Sequence, residues 1–320
     1  GEVKLPESIG VTDEWNARAY RTNGAIDWTH RFNPVTLLVE ADGENQVFNC
    51  LTPNQWADNT HQHNLMGSLK AMLKSNNEDA DIRFQLGTGV LYAKQKYAFG
   101  FYDSFHSEPY TETIIRSHAR VTGKINERTA IHLAARMDNS FVTPGGDYQK
   151  VVQTALLLNP NLTSEGKRWK VRIGAHIDPF FSKSKTEVTF APDIYGEYSV
   201  AKGYSFYLLA GGGRELNDFR TINQAAPYAE FPIYRDGVDG EGYYLPRHTF
   251  HQLNGQLGFK ATPLNELALN LYGGYRVTED QLFSTYMEDY GYDHFGYLMQ
   301  GDANRLYAGG AVQYTWKDIL

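Results

Sequence analysis

Cysteine is almost missing from this chain: Cys50 is alone among 320 residues, so no internal disulfide can brace the fold. Its neighbourhood reads as a bland strand end. Long apolar runs are missing as well. None approaches the roughly 20 residues that a membrane-crossing helix requires, which excludes a helical membrane protein. There is no Pro/Ser-rich tract, no block of like charge and no break in composition between two halves. The whole of 1–320 therefore reads as a single domain. A net charge of −7 argues against a nucleic-acid partner. The opening residues "GEVKLPESIG" do not read as a signal peptide.

What is present is alternation. In "KRWKVRIGAHIDPFF", Trp169, Val171, Ile173, Ala175 and Ile177 fall on one side, and Lys170, Arg172, Gly174, His176 and Asp178 on the other. Side chains of a strand point to opposite faces in turn, so this is a strand with one apolar and one charged surface. The pattern recurs through the chain, for example at Ile82, Phe84, Leu86, Val90 and Tyr92, at Ile131, Leu133, Ala135 and Met137, and at Leu267, Leu269, Leu271 and Tyr275. Many segments reach about 9–11 residues, the span of a tilted strand across a bilayer, against about 5–6 in ordinary globular sheets. Low hydropathy is no obstacle, because only every second residue of such a strand meets lipid. Aromatic residues make up 14% of the chain and Tyr dominates them, as membrane-interface girdles require.

The connections carry more weight than the strands. Short polar turns ("RFNPVT", "SNNEDAD", "GKINERT", "TSEGKR", "VAKGYS", "KATPLNE") alternate with longer segments over 51–62, 95–111, 139–149, 178–187, 213–248 and 278–303. Tight turns on one side and long loops on the other is the plan of an outer-membrane barrel; Greek-key sandwiches have no reason to keep it. The expected fold is all-β: an antiparallel up-and-down meander forming a transmembrane β-barrel of about 14 strands. About thirteen strands are legible, with 15–32 ambiguous, and bacterial barrels use even numbers. The last strand, "LYAGGAVQYTWKDIL", has no partner after it. The reading favours a fragment of a larger barrel, incomplete at its C-terminus.

The segments "LLLNPNLTSEGKRWKVRIG", "INERTAIHLAAR" and "KATPLNELALNLYGGYRV", each a polar turn joined to an alternating strand, resemble outer-membrane barrels of Bacteroides-type bacteria that are TonB-dependent receptor-like. The resemblance is diffuse and spans most of the chain. It implies passage of a solute across the bacterial outer membrane, with a periplasmic energy-coupling protein or an outer-membrane lipoprotein as partner. No plug domain is legible ahead of the first strand, so energised transport does not carry over.

If the apolar faces meet lipid, the opposite faces line a lumen. Arg116, His118, Arg120, His132, Arg136, Lys170, Arg172 and His176 would form a basic arc, and Glu40, Asp42 and Glu44 an acidic one. Such a field selects charged solutes; the plainer reading is that these charges pair across neighbouring strands. In the two longest loops, Tyr234, Asp236, Asp239, Tyr286, Asp289, Tyr290 and Tyr292 combine aromatic faces with carboxylates. That chemistry suits capture of a glycan or other small molecule, although Tyr also simply packs loops. Asp178 and Pro179 read as the point where a strand leaves the membrane.

Enzymatic and metal chemistry find little support. "DGVDGEGYY" fails the calcium-loop spacing, and neither G-x-S-x-G nor H-E-x-x-H occurs. Ser117 and His118 are adjacent and so point to opposite faces. His61 and His63 could begin a metal site, but no third ligand is evident. "YLLAGGGREL" lacks the Lys-Ser/Thr of a phosphate loop and reads as a bend or close approach. No cofactor or metal is expected. A soluble β-sandwich or open sheet that binds glycans and, second, an outer-membrane lipid hydrolase stand as alternatives.

Overall fold

The computed structural model describes residues 2–4, 16–48, 62–96, 109–144, 150–183, 186–225, 233–235, 242–244, 247–286 and 296–316. Its strands are β1 (Glu2–Lys4), β2 (Asn16–Arg31), β3 (Val35–Phe48), β4 (Gln62–Ser75), β5 (Ile82–Gln95), β6 (Tyr110–Asn126), β7 (Thr129–Thr143) and β8 (Val151–Glu165). There follow β9 (Trp169–Ser182), β10 (Thr186–Ala201), β11 (Tyr204–Glu215), helix α1 (Phe219–Ala225), β12 (Ile233–Arg235), β13 (Gly242–Tyr244), β14 (Thr249–Leu264), β15 (Leu267–Tyr286) and β16 (Gly296–Tyr314). All but β12 and β13 form one 14-stranded sheet in chain order, each strand antiparallel to the next. This is the expected meander, and the ambiguous segment is β2.

All six expected turns join neighbouring strands at one end of the sheet. Their closures are local: Phe32 N donates to Val35 O at 2.7 Å and Gly166 N to Trp169 O at 2.8 Å. Gly203, at φ +80°, supplies the left-handed residue between β10 and β11. At the other end the strands run further than expected. β7 occupies most of the expected loop's first part, and β15 and β16 consume much of 278–303. Asp178 and Pro179 also lie inside β9, which continues to Ser182. The dipeptide suggested an exit because proline has no N–H to give a ladder. Its actual effect is narrower: β9 pairs continuously with β10 through Val188↔Pro179, while the β8–β9 register has no pairs at Asp178 and Pro179.

The outer face is apolar and open. Leu306 is 83% exposed, Ile26 74% and Leu257 65%, with Leu69, Ile131, Ile173 and Phe190 in the same position on other strands. Soluble monomers rarely expose contiguous apolar patches beyond about a few hundred Å². A sandwich would cover this face with a second sheet, yet among the described residues only the β12–β13 hairpin lies outside the main one. Trp169 belongs to this face, beside the turn where its ring covers Gly166. A Trp169→Ala variant is expected to insert into membranes less efficiently while leaving passage nearly intact. Unchanged insertion with lost passage would refute this placement.

The sheet curves until residues from both halves meet. Met66, Ala93, Tyr110 and Val142 from β4–β7 and Leu298 from β16 share an apolar cluster with Phe219 and Ile222 of α1. Closure is incomplete among the described residues: β16 is unpaired on the side away from β15, and β2, on the side away from β3, meets the three residues of β1. On the inner face of β11, β14, β15 and β16, tyrosines and glycines alternate across the ladder as Tyr207↔Gly258↔Tyr272↔Gly309. A Cβ at Gly258 or Gly309 would collide with the Tyr207 or Tyr272 ring, so glycine is required by close approach.

Candidate functional site

The inner face gathers most of the residues singled out above, and ion pairs organise many of them. Asp138, 2% exposed, accepts from both Arg116 and Arg136, in each case from Nε at 3.0 Å and Nη2 at 2.7 Å. Arg116 also reaches Asp218 at 3.2 Å. Arg172 pairs with Asp193 at 2.9 Å. Lys170, beside the turn, approaches Glu165 only at 3.9 Å. Of the acidic set, Glu44 binds Arg21 at 2.7 Å. Glu40 lies 3.9 Å from Lys70, and Asp42 takes Arg220 of α1 at 2.7 Å together with the Ser68 hydroxyl. The pairing reading thus describes Glu44, Asp138 and Asp193. It does not describe Arg83, Arg120, Arg276 and Arg305, whose places in the strand alternation put them on the inner face. Among the described residues none of these four has a carboxylate partner, and Arg276 stands directly opposite Arg305 in the β15–β16 register.

His132 is held between Thr122 and Thr163, at 3.0 and 2.8 Å. His118, Arg120, Arg136 and His176 instead line one cavity of about 460 Å³, bounded on its far side by Asp178, Arg214, Glu215 and His251. The Gly-rich segment of β11 makes room for it. A bulge falls between Gly211 and Gly213, Gly213 has φ +112°, and a Cβ there would press on the His176 ring. That is the close approach expected of "YLLAGGGREL".

Sequence reasoning placed 213–248 wholly in a loop, yet its first part turns into the concave side as α1. Asp218 caps the helix, its Oδ1 accepting from Thr221 N at 2.8 Å. Phe219 N donates to Glu112 Oε2 at 2.8 Å, and Asn223 bonds both Gln46 and Asn64 at 3.0 Å. Helix α1 therefore bridges β3, β4 and β6 across the interior. Its base is held by Asn217, whose N–H donates to His248 Nδ1 at 3.1 Å and whose side chain bonds Thr249.

His248 packs edge-on against Phe180. Desolvation, with the Arg214 charge nearby, lowers its pKa from 6.5 to about 4. The neutral ring is the acceptor that Asn217 needs. Because the folded value is depressed, this contribution is present above pH 6.5 and is lost as pH falls towards 4. Protection factors of 217–225, with the intrinsic pH dependence of amide exchange divided out, should fall across that window, and a His248→Gln variant should flatten the response.

Ser117 bonds Thr88 at 3.1 Å on the outer face while His118 points into the cavity, so the two cannot act together as nucleophile and base. His63 is exposed and bonded to Asn45; His61 and Cys50 lie outside the described residues. So do Asp236, Asp239, Asp289, Tyr290 and Tyr292, whereas Tyr234 falls in β12 and Tyr286 ends β15. Asp138, Asp193 and Glu112 were not singled out from sequence, and Asp178 was read only as a strand exit. Alternation alone would have placed Asp138 on the same face as Arg136.

The meander, apolar outside and charged and partly filled inside, is similar in fold to the barrels of solved metal transporters and siderophore receptors. Among solved structures the chain is similar to the FrpB iron transporter of Neisseria meningitidis, F3-3 variant (TM-score 0.63, 11% identity, 94% of this chain and 50% of that one). It is similar also to the ferric-catecholate import receptor Fiu of E. coli K12 (0.60, 9%, 96% and 56%) and to the copper transporter OprC (0.56, 11%, 94% and 51%). At these identities the likeness is one of fold, and the chain spans about half the length of each. No family model and no curated relative matches the sequence.

Proposed function

We propose that this chain forms wall and lumen of an outer-membrane β-barrel transport protein, passing a solute along the charged inner face. The observation that supports it is the two-sided sheet: apolar side chains cover the outside, while ion pairs, unpaired arginines and α1 occupy the inside. Water cannot satisfy an unpaired strand edge within lipid, so the edges of β2 and β16 must pair in the membrane, with each other or with further strands. FrpB and OprC are described as iron and copper transporters; a comparable role here makes the outer membrane the site of action and a periplasmic energy-coupling protein or a lipoprotein the natural partner. Tyr234 of β12 and Tyr286 at the end of β15, together with Asp236, Asp239, Asp289, Tyr290 and Tyr292, would meet the solute first.

The excess of unpaired arginine on the inner face favours anions over cations. Reconstituted into planar bilayers, the protein should show anion-selective reversal potentials, and replacing Arg120 together with Arg276 by Gln should abolish that preference. Solubility without detergent, or selectivity for cations, would sink this reading.

A further inference from the structure

The geometry points to a binding site for a small amphoteric solute in the inner-face cavity between β5–β9 and β11, with an oxyanion group at one end and a hydrogen-bond-donating or cationic group at the other. The inference rests on the proposal that this face lines a solute path, and it names the chemistry that the path would hold. The cavity, about 460 Å³, falls in the range of roughly 300–1,000 Å³ typical of small-molecule sites.

Its two ends differ in charge. On β6 and β7 the lining groups are His118, Arg120 and Arg136, with no carboxylate among them. Arg136 is already engaged by Asp138, but Arg120 has neither an ion pair nor a hydrogen bond among the described residues. Its register neighbour across the β6–β7 ladder is Ala134, too short to cover the guanidinium. A carboxylate or phosphate oxygen can take two parallel N–H bonds from such a group.

On β9 and β11 the lining carboxylates are Asp178 and Glu215; Arg214 lines the same end but its guanidinium is taken by Glu187 at 2.7 Å, and His251 lies 3.3 Å from Glu215. Asp178 is fully buried; its Oδ2 accepts from Arg214 N at 2.9 Å, and among the described residues its Oδ1 has no partner. A buried acceptor left unpaired is costly, and an ammonium or N–H group of a bound solute would satisfy it. The ends discriminate jointly. A dicarboxylate would press an anion on Asp178, and a diamine would press a cation on Arg120.

The test is calorimetric titration of the detergent-purified chain with 5-aminopentanoate, which carries a carboxylate at one end and an ammonium at the other, with glutarate, which has a second carboxylate in place of the amine, and with cadaverine, which has a second amine in place of the carboxylate. 5-Aminopentanoate should bind, glutarate about tenfold or more weakly, and cadaverine not measurably, as expected for loss of one charge-assisted hydrogen bond. Arg120→Gln should weaken 5-aminopentanoate by about tenfold or more, with partial recovery in Arg120→Lys. Asp178→Asn keeps an acceptor for Arg214 N and should reduce 5-aminopentanoate to the glutarate level. If that variant fails to fold, as judged by far-ultraviolet circular dichroism, the ranking of the three probes on the unmodified chain decides. Equal affinity for 5-aminopentanoate and glutarate, absence of binding, or unchanged affinity in Arg120→Gln would overturn the site. Lost binding with intact bilayer flux removes the site and leaves the passage reading standing; intact binding without flux does the reverse.

Discussion

Replacing Asp138 by alanine should lower stability by about 3 kcal/mol and loosen the interior helix at the same time. Removing one partner of a buried ion pair typically costs about 3–5 kcal/mol, and the low end applies because Arg136 keeps about a third of its side chain in contact with solvent. Asp138 answers two guanidinium groups at once. Without it, Arg116 retains only Asp218 and is no longer held in its forked geometry. Asp218 caps α1 and anchors it to β6 through that same arginine. Two readouts therefore move together: the denaturation midpoint falls, and amide exchange in 219–225 rises. Asp138→Asn, which keeps the acceptor and loses the charge, should fall between the two. A lower midpoint with unchanged exchange in α1 would show that Arg116 does not hold the helix.

Substituting a Gly/Ser linker for 218–225 should raise bilayer flux on the order of tenfold, since an apolar constriction blocks ions by excluding water and its removal restores a wet path. On the proposed solute path that constriction would be the buried cluster of Phe219 and Ile222 against Met66, Tyr110, Val142 and Leu298. The milder Phe219→Ala and Ile222→Ala pair should give a smaller rise. Single-channel recording checks both, and identical conductance in all three proteins would place the limiting constriction elsewhere.

Strands and short turns were legible because each has a local cause. Alternation marks the strands, and polar residues with Gly203 or an Asn-Pro step mark the turns. Helix α1 was not legible. Seven residues cannot sustain a helix alone, and its order derives from Glu112, Asp42 and Gln46, all more than 100 positions away. The same holds within the site. Alternation puts Arg116, Arg120 and Arg136 on one face, yet which of them is neutralised depends on where Asp138 and Asp218 arrive. Asp178 was misread for a related reason: Pro179 signals an interruption, but the sequence does not say that only one of its two ladders is interrupted.

The tyrosine and glycine rows answer a question that hydrophobic patterning leaves open. Sliding a strand by one residue turns every apolar side chain inwards and is forbidden. Sliding it by two preserves both faces, so neither lipid nor water resists. In β14–β16 that even slip would set Tyr272 against Gln256 or Lys260 in place of Gly258, and against Tyr307 or Ala311 in place of Gly309. The ring would lose the hollow made for it on each side. Interleaved large and absent side chains thus act as a vernier, admitting one alignment among those the membrane itself cannot tell apart.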